Sequence, residues 1–308
     1  MVSYSVVAKR LDGIDIVKVF GVRDFDVCKV FDCGQCFRFE PVRETAHEAE
    51  FSGVAMGRFI SVAQDGDAVT VYNSTLEDFD RIWRHYLALD VDYGAIAQDI
   101  LSRSENPALR RAVEHGRGIR ILNQDPWETV CSFIVSQNNN IPRIKKIIEA
   151  MARTCGEQIS VPEALYSHIA EGMSLYSFPS SEALVGLGID GLFALRTGFR
   201  AKYIYDAALK DLSSEIDYGL LRDSDSTAEC VEHLCRIKGV GPKVASCALL
   251  FGLGRLDAFP IDVWIKKVIA KYFSGDGEAF SPDMLGEFAG VAQQYLFYYE
   301  RYLAERDA

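Results

Sequence analysis

Short segments with partly alternating apolar and polar positions, rich in Val, Phe and Tyr, fill the chain up to Ser74. Such a period of two is typical of strands with one buried face. The turn sequence Gln64-Asp65-Gly66-Asp67 separates the last two segments and predicts a hairpin. The pattern therefore predicts an antiparallel sheet built from residues 4–11, 15–20, 36–42, 49–56, 58–64 and 68–74.

From Asp78 onward the apolar period lengthens to that of amphipathic helices. Proline in a first turn, after a residue that can cap a helix, marks several helix starts. We predict such starts at Asp125-Pro126, at Pro142 after the run Asn138-Asn139-Asn140, and at Ser281-Pro282-Asp283, where a single final helix carries an apolar stripe to Tyr299.

These patterns predict an α+β protein with two domains. Residues 1–104 form an N-terminal antiparallel β-sheet domain, and residues 105–308 form an α-helical domain. The 308 residues suffice for a sizeable core, and the apolar fraction of 49% with 25% charged residues is that of an ordinary globular protein.

The N-terminal residues lack a basic start followed by an apolar run, so we expect no signal peptide. The longest apolar stretch, residues 244–253, is too short to span a bilayer. We expect a soluble, intracellular monomer in the cytoplasm, nucleoid or nucleus, without membrane association.

Eight cysteines are scattered along the chain, and we expect them to be reduced thiols that pack as small apolar groups. Cys33 and Cys36 form a CxxC that would suit a redox pair or half of a zinc site. No second CxxC and no cluster of His accompanies it, which favours plain packing.

The net charge of −11 argues against a protein that coats nucleic acid, because binding many phosphates needs many cations. A protein that touches few phosphates needs only one basic face. Basic residues gather in three groups, each of which is equally well read as a solvated helix face. The groups are Arg143, Lys145, Lys146 and Arg153; Arg196, Arg200 and Lys202; and Lys266, Lys267 and Lys271.

Residues 237–243, with the sequence IKGVGPK, lie between two helical patterns and carry the most informative signal. Gly239 and Gly241 let the backbone approach another chain closely, and the free N–H groups of the following helix suit a phosphate. This is the pattern of a helix-hairpin-helix, over about 224–253, which grips a DNA backbone without reading sequence. By itself, GVG is an ordinary turn.

Lys243 and Asp262 are the candidate chemical groups. A neutral lysine amine is a nucleophile, and a carboxylate stabilises positive charge. Each residue also has a plainer interpretation, since Lys243 suits a solvated charge and Asp262 suits a helix N-cap.

Five ordered motifs together resemble the 8-oxoguanine DNA glycosylases of the helix-hairpin-helix DNA glycosylase superfamily, over most of the chain. The hairpin GVGPK, followed by Asp262 after Phe-Pro-Ile, resembles the catalytic core of the superfamily. The other four are residues 33–38, CGQCFR; residues 124–126 with CSFIVSQNNNIPRI; Leu187-Gly188 with GFRAKYI; and VAQQYLF near the C-terminus.

This resemblance implies a glycosylase with lyase activity in base excision repair, acting on double-stranded DNA that contains oxidised guanine. Lys243 would form a Schiff base, with Asp262 as its partner. The resemblance implies no required cofactor and a structural metal ion at the hairpin backbone. Because no Cys follows Cys247, we expect no iron–sulfur cluster, and no side chain is expected to bind a metal.

The resemblance also implies a base pocket formed by Gly34, Cys247, Gln293 and Phe297. Gln293 and Phe297 are four residues apart and so share a helix face, as do Lys243 and Cys247. The carbonyl of Gly34 would accept the N7 hydrogen that distinguishes 8-oxoguanine from guanine. In isolation, Gln293 suits a surface position and Phe297 suits the core.

Five further residues are implied to bind DNA. Asn138 would enter the gap left by the flipped nucleotide. Arg143 and Arg200 would contact the opposite cytosine, although each also suits a phosphate or solvent contact. Phe199 replaces a family Tyr in the wedge position, which keeps stacking and loses a hydroxyl. Trp264 replaces a phosphate-binding His that is common in the family, which leaves its own role open.

Two alternatives remain open from the sequence. One is a related glycosylase that hydrolyses alkylated bases, although such members generally lack a lysine at position 243. The other is a non-catalytic DNA-binding module, which does not explain a carboxylate facing DNA at position 262.

Overall fold

The computed structural model describes residues 4–273 and 280–306. Its N-terminal part is a six-stranded antiparallel sheet in the order β1-β2-β6-β5-β4-β3. All six predicted strands are confirmed, and Asp65 pairs with Ala68 across the predicted hairpin turn. The strands are β1 (Ser5–Leu11), β2 (Ile14–Phe20), β3 (Phe39–Pro41), β4 (Ala49–Ala55), β5 (Arg58–Asp65) and β6 (Ala68–Tyr72).

The central strands β4 and β5 are buried on both faces, which explains why their polar and apolar positions alternate only in part. One face packs against Trp83 and Phe31. The other face is covered by residues from much later in the chain, with Val161 and Leu165 packed against Phe59. The sheet therefore lies between two layers of side chains, and a polar residue on either face needs a partner.

The rest of the described chain is helical, which confirms the α+β class. The α-helices are α1 (Val27–Asp32), α2 (Leu76–Asp78), α3 (Arg84–Tyr86), α4 (Tyr93–Arg103), α5 (Pro107–Gly116), α6 (Pro126–Ser136), α7 (Ile141–Cys155), α8 (Ser181–Leu192), α9 (Ala201–Leu212), α10 (Tyr218–Asp223), α11 (Thr227–Leu234), α12 (Pro242–Gly252), α13 (Val263–Tyr272) and α14 (Ala289–Arg306). Shorter π or 3-10 segments are Phe79–Trp83, Glu163–His168, Phe193–Thr197, Gly198–Arg200 and Pro282–Phe288.

The prediction of one continuous final helix from Ser281 is wrong. The segment Pro282–Phe288 is a 3-10 helix, and α14 begins only at Ala289. Gly286, within the 3-10 segment, has φ +68°, a left-handed conformation that interrupts a helix. This positive φ favours glycine, whereas the guanidinium of Arg103, 2.5 Å from an added Cβ, is the end of a flexible side chain that can move.

A turn from the sheet part of the chain enters the helical core. Cys33 and Phe37 are buried with residues of α6, α12 and α14. Burial raises the pKa of the Cys33 thiol to about 12, and the pKa of Cys36 is also raised well above its usual value. Both thiols are therefore protonated at neutral pH, as expected for apolar packing. All eight cysteines are free in the described structure.

None of the helices in the described ranges combines the length and apolar character needed to cross a membrane.

A buried carboxylate joins the sheet to the segment that covers it. Glu50 on β4 accepts hydrogen bonds from His168 Nδ1 at 2.6 Å and from Ser61 Oγ at 2.5 Å, and Thr45 also donates to it. Burial acts to raise the pKa of Glu50, but these hydrogen bonds outweigh it and lower the pKa. The ionised form is thus favoured in the folded protein.

This network predicts an acid-dependent loss of stability. Because the folded pKa of Glu50 is lowered, its contribution is complete above the ordinary Glu pKa and is lost as pH falls through the lowered value. Glu50→Gln should cost about 2 kcal/mol at pH 7 and less at acid pH. Urea unfolding at several pH values measures this, with the exposed Glu44 as a matched control in Glu44→Gln. Equal losses at every pH would contradict the assignment.

Candidate active site

The predicted hairpin joins α11 to α12 and is closed by a hydrogen bond from Val240 N to Ile237 O at 3.0 Å. Gly239 has φ +79°, and a Cβ there would lie 2.4 Å from the ring of Tyr203. Gly241 is the N-cap of α12 and makes no side-chain cap. The first N–H groups of α12 therefore lack an internal partner and suit an anion such as a phosphate.

Lys243 and Asp262 line the same small pocket, of about 70 Å³. Lys243 lies in the first turn of α12, and Asp262 is the N-cap of α13, where its carboxylate accepts from Ile265 N at 2.8 Å. The plainer interpretation of Asp262 as a cap is thus correct but incomplete. The pocket is lined by Gly34, Phe133, Lys243, Cys247, Phe251, Pro260, Asp262, Gln293, Gln294 and Phe297.

Aromatic rings form one wall of this pocket. Phe133 on α6 stacks on Phe251 of α12 with ring centroids 5.3 Å apart. The Nζ of Lys243 lies 5.4 Å from the centroid of Phe133. The sequence does not predict that these two rings, Pro260 or Gln294 line the pocket, because an apolar or amide side chain in a helical pattern gives no signal of a pocket.

Cys247 is buried one turn after Lys243 on α12, as the spacing predicts. Burial raises the pKa of its thiol to about 11; Lys243 acts to lower the pKa, and Asp262 acts to raise it. Both side chains therefore lie close enough to Cys247 to influence the pKa of its thiol. The thiol stays protonated at neutral pH, which makes Cys247 a packing surface rather than a nucleophile.

Gln293 is buried on α14, so its interpretation as a surface residue is wrong. Its Oε1 has no hydrogen-bond partner in the described structure, although it faces a pocket. A buried amide oxygen without a partner is costly and points to a ligand. Phe297, one turn later, is partly buried and packs on the core.

Gly34 forms the opposite side of the pocket in a left-handed turn, with φ +83°. A Cβ there would meet only Phe297 at 3.7 Å and Ile141 at 4.0 Å. Backbone conformation rather than lack of space therefore requires glycine in the empty pocket.

The three asparagines after α6 have separate roles. Asn138 is exposed and has φ +47°, a conformation that few residues other than glycine adopt. Asn139 donates to Val135 O at 3.0 Å, and Asn140 caps α7 by accepting from Arg143 N at 3.0 Å. Asn138 is thus held outward between two anchored neighbours.

Arg200 is buried and holds this loop, since it donates to the carbonyls of Gln137 and Asn138. Burial lowers the pKa of Arg200, and the nearby Arg143, which is exposed, lowers it further. The Cζ of Arg200 lies 4.4 Å above the ring of Phe199, which is 48% exposed. The structure thus places these predicted DNA-binding residues at one loop.

Trp264 lies in the first turn of α13, is 40% exposed, and has the Nζ of Lys267 5.3 Å from a ring centroid.

Three of the clustered cations are paired with carboxylates, Lys145 with Glu40, Arg153 with Glu149, and Lys271 with Glu300. The others lack a carboxylate partner within the described ranges. Arg200 is buried and already donates to backbone carbonyls, whereas the remaining six are exposed and available for phosphates: Arg143, Lys146, Arg196, Lys202, Lys266 and Lys267.

A hairpin beside a pocket that holds a lysine and a carboxylate is the arrangement of the helix-hairpin-helix DNA glycosylase superfamily. The model of the 8-oxoguanine DNA glycosylase N-terminal domain matches residues 19–130. A solved structure of MBOgg1 with a low-affinity DNA ligand is 42% identical, with a TM-score of 0.85, and the match covers 98% of this chain and 99% of that one.

The 8-oxoguanine glycosylase/lyase of Clostridium acetobutylicum, in complex with double-stranded DNA that contains cytosine opposite 8-oxoguanine, is 34% identical with a TM-score of 0.85. That match covers 99% of this chain and 100% of the other. The N-glycosylase/DNA lyase of Saccharomyces cerevisiae is 34% identical over 59% of this chain, and the match spans 48% of the yeast protein. The chain belongs to the 8-oxoguanine DNA glycosylase family.

The geometry of the hairpin predicts unequal losses of stability for two alanine substitutions. Gly239→Ala should destabilise the protein by about 1–3 kcal/mol, because it combines a positive φ with a contact on Tyr203. Gly241→Ala should cost less than about 1 kcal/mol, because its φ is −108° and no atom lies within 4 Å of the added Cβ. Urea unfolding of both variants measures this; equal losses would refute the account of the hairpin.

Proposed function

We propose that this chain excises 8-oxoguanine from duplex DNA and then nicks the strand, as an 8-oxoguanine DNA glycosylase/lyase in base excision repair. Relatives named for this activity cover nearly the whole chain. The observation that carries the proposal is a single pocket that holds Lys243, Asp262 and the unpartnered amide oxygen of Gln293.

Lys243 acts as the nucleophile. Its neutral amine attacks C1′ of the flipped nucleotide, the glycosidic C–N bond breaks, and the base leaves with the bonding electrons. The carboxylate of Asp262 stabilises the positive charge that develops on the sugar. Loss of a proton from the amine and opening of the sugar give a Schiff base. Removal of a proton from C2′ then breaks the C3′–O bond and releases the 3′ phosphate by β-elimination.

The pocket recognises the flipped base through three contacts. Gln293 offers a donor and an acceptor to the base edge. Phe297 and Cys247 pack on opposite faces of the ring. The Gly34 carbonyl accepts the N7 hydrogen of 8-oxoguanine, which guanine lacks. This carbonyl has no partner within residues 4–273 and 280–306, so an acceptor is available.

The loop at Asn138 opens the duplex. Asn138 fills the gap, Phe199 stacks as a wedge, and Arg143 and Arg200 contact the opposite cytosine. The exposure of Asn138, Arg143 and Phe199 supports these roles. The hairpin grips a backbone phosphate through the N–H groups that follow Gly241, and Trp264 contacts the DNA near the pocket.

The reaction needs no organic cofactor and no iron–sulfur cluster, because the amine and the carboxylate supply the chemistry. A structural metal ion at the hairpin would be held by backbone carbonyls of residues 237–241, which are hard oxygen ligands of the kind that such cations take. The ion would hold the hairpin and takes no part in the chemical steps.

The role of Lys243 is tested by borohydride trapping on a duplex that contains 8-oxoguanine. The wild-type protein should form a covalent adduct, and Lys243→Gln should form none, because an amide cannot form the reducible Schiff base. Lys238→Gln, in the same hairpin, is the control and should still be trapped. An adduct with Lys243→Gln would refute the assignment. Binding without base release by the wild-type protein would indicate a non-catalytic module.

Two substitutions separate the cap from the catalytic role of Asp262. Asp262→Asn keeps a good N-cap and removes the charge, so we expect a stability change below about 1 kcal/mol and a loss of base release of at least about 100-fold. Asp262→Ala should lose stability by about 1 kcal/mol as well. Single-turnover excision and thermal unfolding measure the two effects. Full activity of Asp262→Asn would show that Asp262 serves only as a helix N-cap.

A further inference from the structure

We propose that Gln294 is a positioning residue for lesion recognition, because it fixes the peptide that precedes Gly34 to the helix that carries Gln293. This inference rests on the proposed function. Gln294 would act through the backbone of the opposite pocket wall and not through a hydrogen bond to the base.

Two consecutive glutamines on α14 reach different walls of the pocket. Gln293 presents an amide oxygen without a partner in the described structure. Gln294, only 3% exposed, donates from Nε2 to the carbonyl of Cys33 at 2.7 Å. Because both residues are rigidly attached to one helix, the position of the Cys33 peptide is tied to the position of the Gln293 amide.

The other side of the Gly34 turn is held in the same way. Gln124, just before α6, donates from Nε2 to the carbonyl of Gln35 at 2.8 Å. The carbonyls on both sides of Gly34 are therefore fixed by glutamine amides, while the Gly34 carbonyl between them is left without a partner in the described structure. The direction of the free carbonyl follows from its two fixed neighbours.

This arrangement matters because glycine at φ +83° has wide conformational freedom. A small rotation of either neighbouring peptide turns the Gly34 carbonyl away from a base in the pocket. Hydrogen bonds weaken steeply when their angle is poor. An acceptor that must distinguish N7–H from a bare N7 therefore needs the support that Gln294 and Gln124 provide.

The test compares two reactions of one protein. Excision of 8-oxoguanine needs the Gly34 carbonyl, whereas cleavage of a preformed abasic site needs Lys243 and Asp262 but no base recognition. We expect Gln294→Met, of similar length without the donor, to lower kcat/KM for excision roughly tenfold and to leave abasic-site cleavage within about twofold of wild type. Thermal unfolding reports any loss of folded protein.

Gln294→Glu adds a readout that a merely structural role would not move. A carboxylate cannot donate to the Cys33 carbonyl, but the protonated acid can. The ratio of excision to abasic-site cleavage should therefore be low at pH 8 and rise as pH falls, whereas the ratio for Gln294→Met should stay low throughout. Use of the ratio removes pH effects on the chemistry common to both reactions.

The matched control is Gln64→Met, in the sheet. Gln64 donates to the carbonyls of Phe25 and Gly66, both at 2.9 Å, and accepts from Val27 N at 2.8 Å, so its substitution also removes side-chain hydrogen bonds to backbone. Its excision ratio should equal that of wild type. A wild-type ratio in Gln294→Met, or an equal drop in Gln64→Met, would overturn the inference. Failure of the wild-type protein to release 8-oxoguanine while it cleaves abasic sites would overturn the proposed function instead, and the positioning role with it.

Discussion

The pocket depends on the hydrogen bonds that hold the turn around Gly34 within the helical core. Gln35 is central to this: its side chain donates to the carbonyls of Val30 and Arg120, both at 2.8 Å, and accepts from Leu122 N at 2.9 Å. A turn has peptide groups that no regular ladder satisfies, and such groups are stable in a core only when they are paired. The buried side chain of Gln35 pairs the peptide groups that surround the turn, and the amides of Gln294 and Gln124 pair the carbonyls of Cys33 and Gln35 in the turn itself. Together these bonds allow backbone from the sheet part to form a wall among helices.

The starts of two helices place the chemical groups. Lys243 follows the hairpin in the first turn of α12, and Asp262 precedes α13, where it accepts from Ile265 N. The helix backbone fixes the Cα of each residue, and the hydrogen bond from Ile265 N also orients the carboxylate of Asp262. Rigid placement of this kind suits a reaction that requires an amine and a carboxylate on one sugar. The stacked rings of Phe133 and Phe251 form an apolar wall beside the amine of Lys243.

A chain of contacts connects the Asn138 loop to the hairpin at Gly239. The ring of Phe199 meets Tyr203 edge-on with centroids 5.8 Å apart, and Tyr203 packs where a Cβ of Gly239 would lie. Arg200, next to Phe199, holds the carbonyl of Asn138. The exposed loop and the hairpin are thus both packed against the start of α9, which fixes their positions relative to each other.

Local patterns in the sequence determined the six strands, the helix start at Pro126, the start predicted at Pro142 and found at Ile141, and the cap at Asp262, because each depends mainly on neighbouring residues. The motifs identified the lysine, the carboxylate and the four base-pocket residues, which the structure brings into one pocket. The final helix was the exception, since the apolar stripe continues through Gly286, where the backbone is left-handed with φ +68°, and α14 begins only at Ala289.

Only the tertiary structure decided which buried side chains serve the pocket. Phe133, Phe251 and Gln294 follow the same helical pattern as core residues, and no local signal separates the two roles. Gln293 shows the reason: its burial and its unpartnered oxygen follow from the approach of α14 to the Gly34 turn, more than 250 residues earlier. The sequence by itself specified which groups are chemically able to act. The packing of distant segments decided which of them face one another.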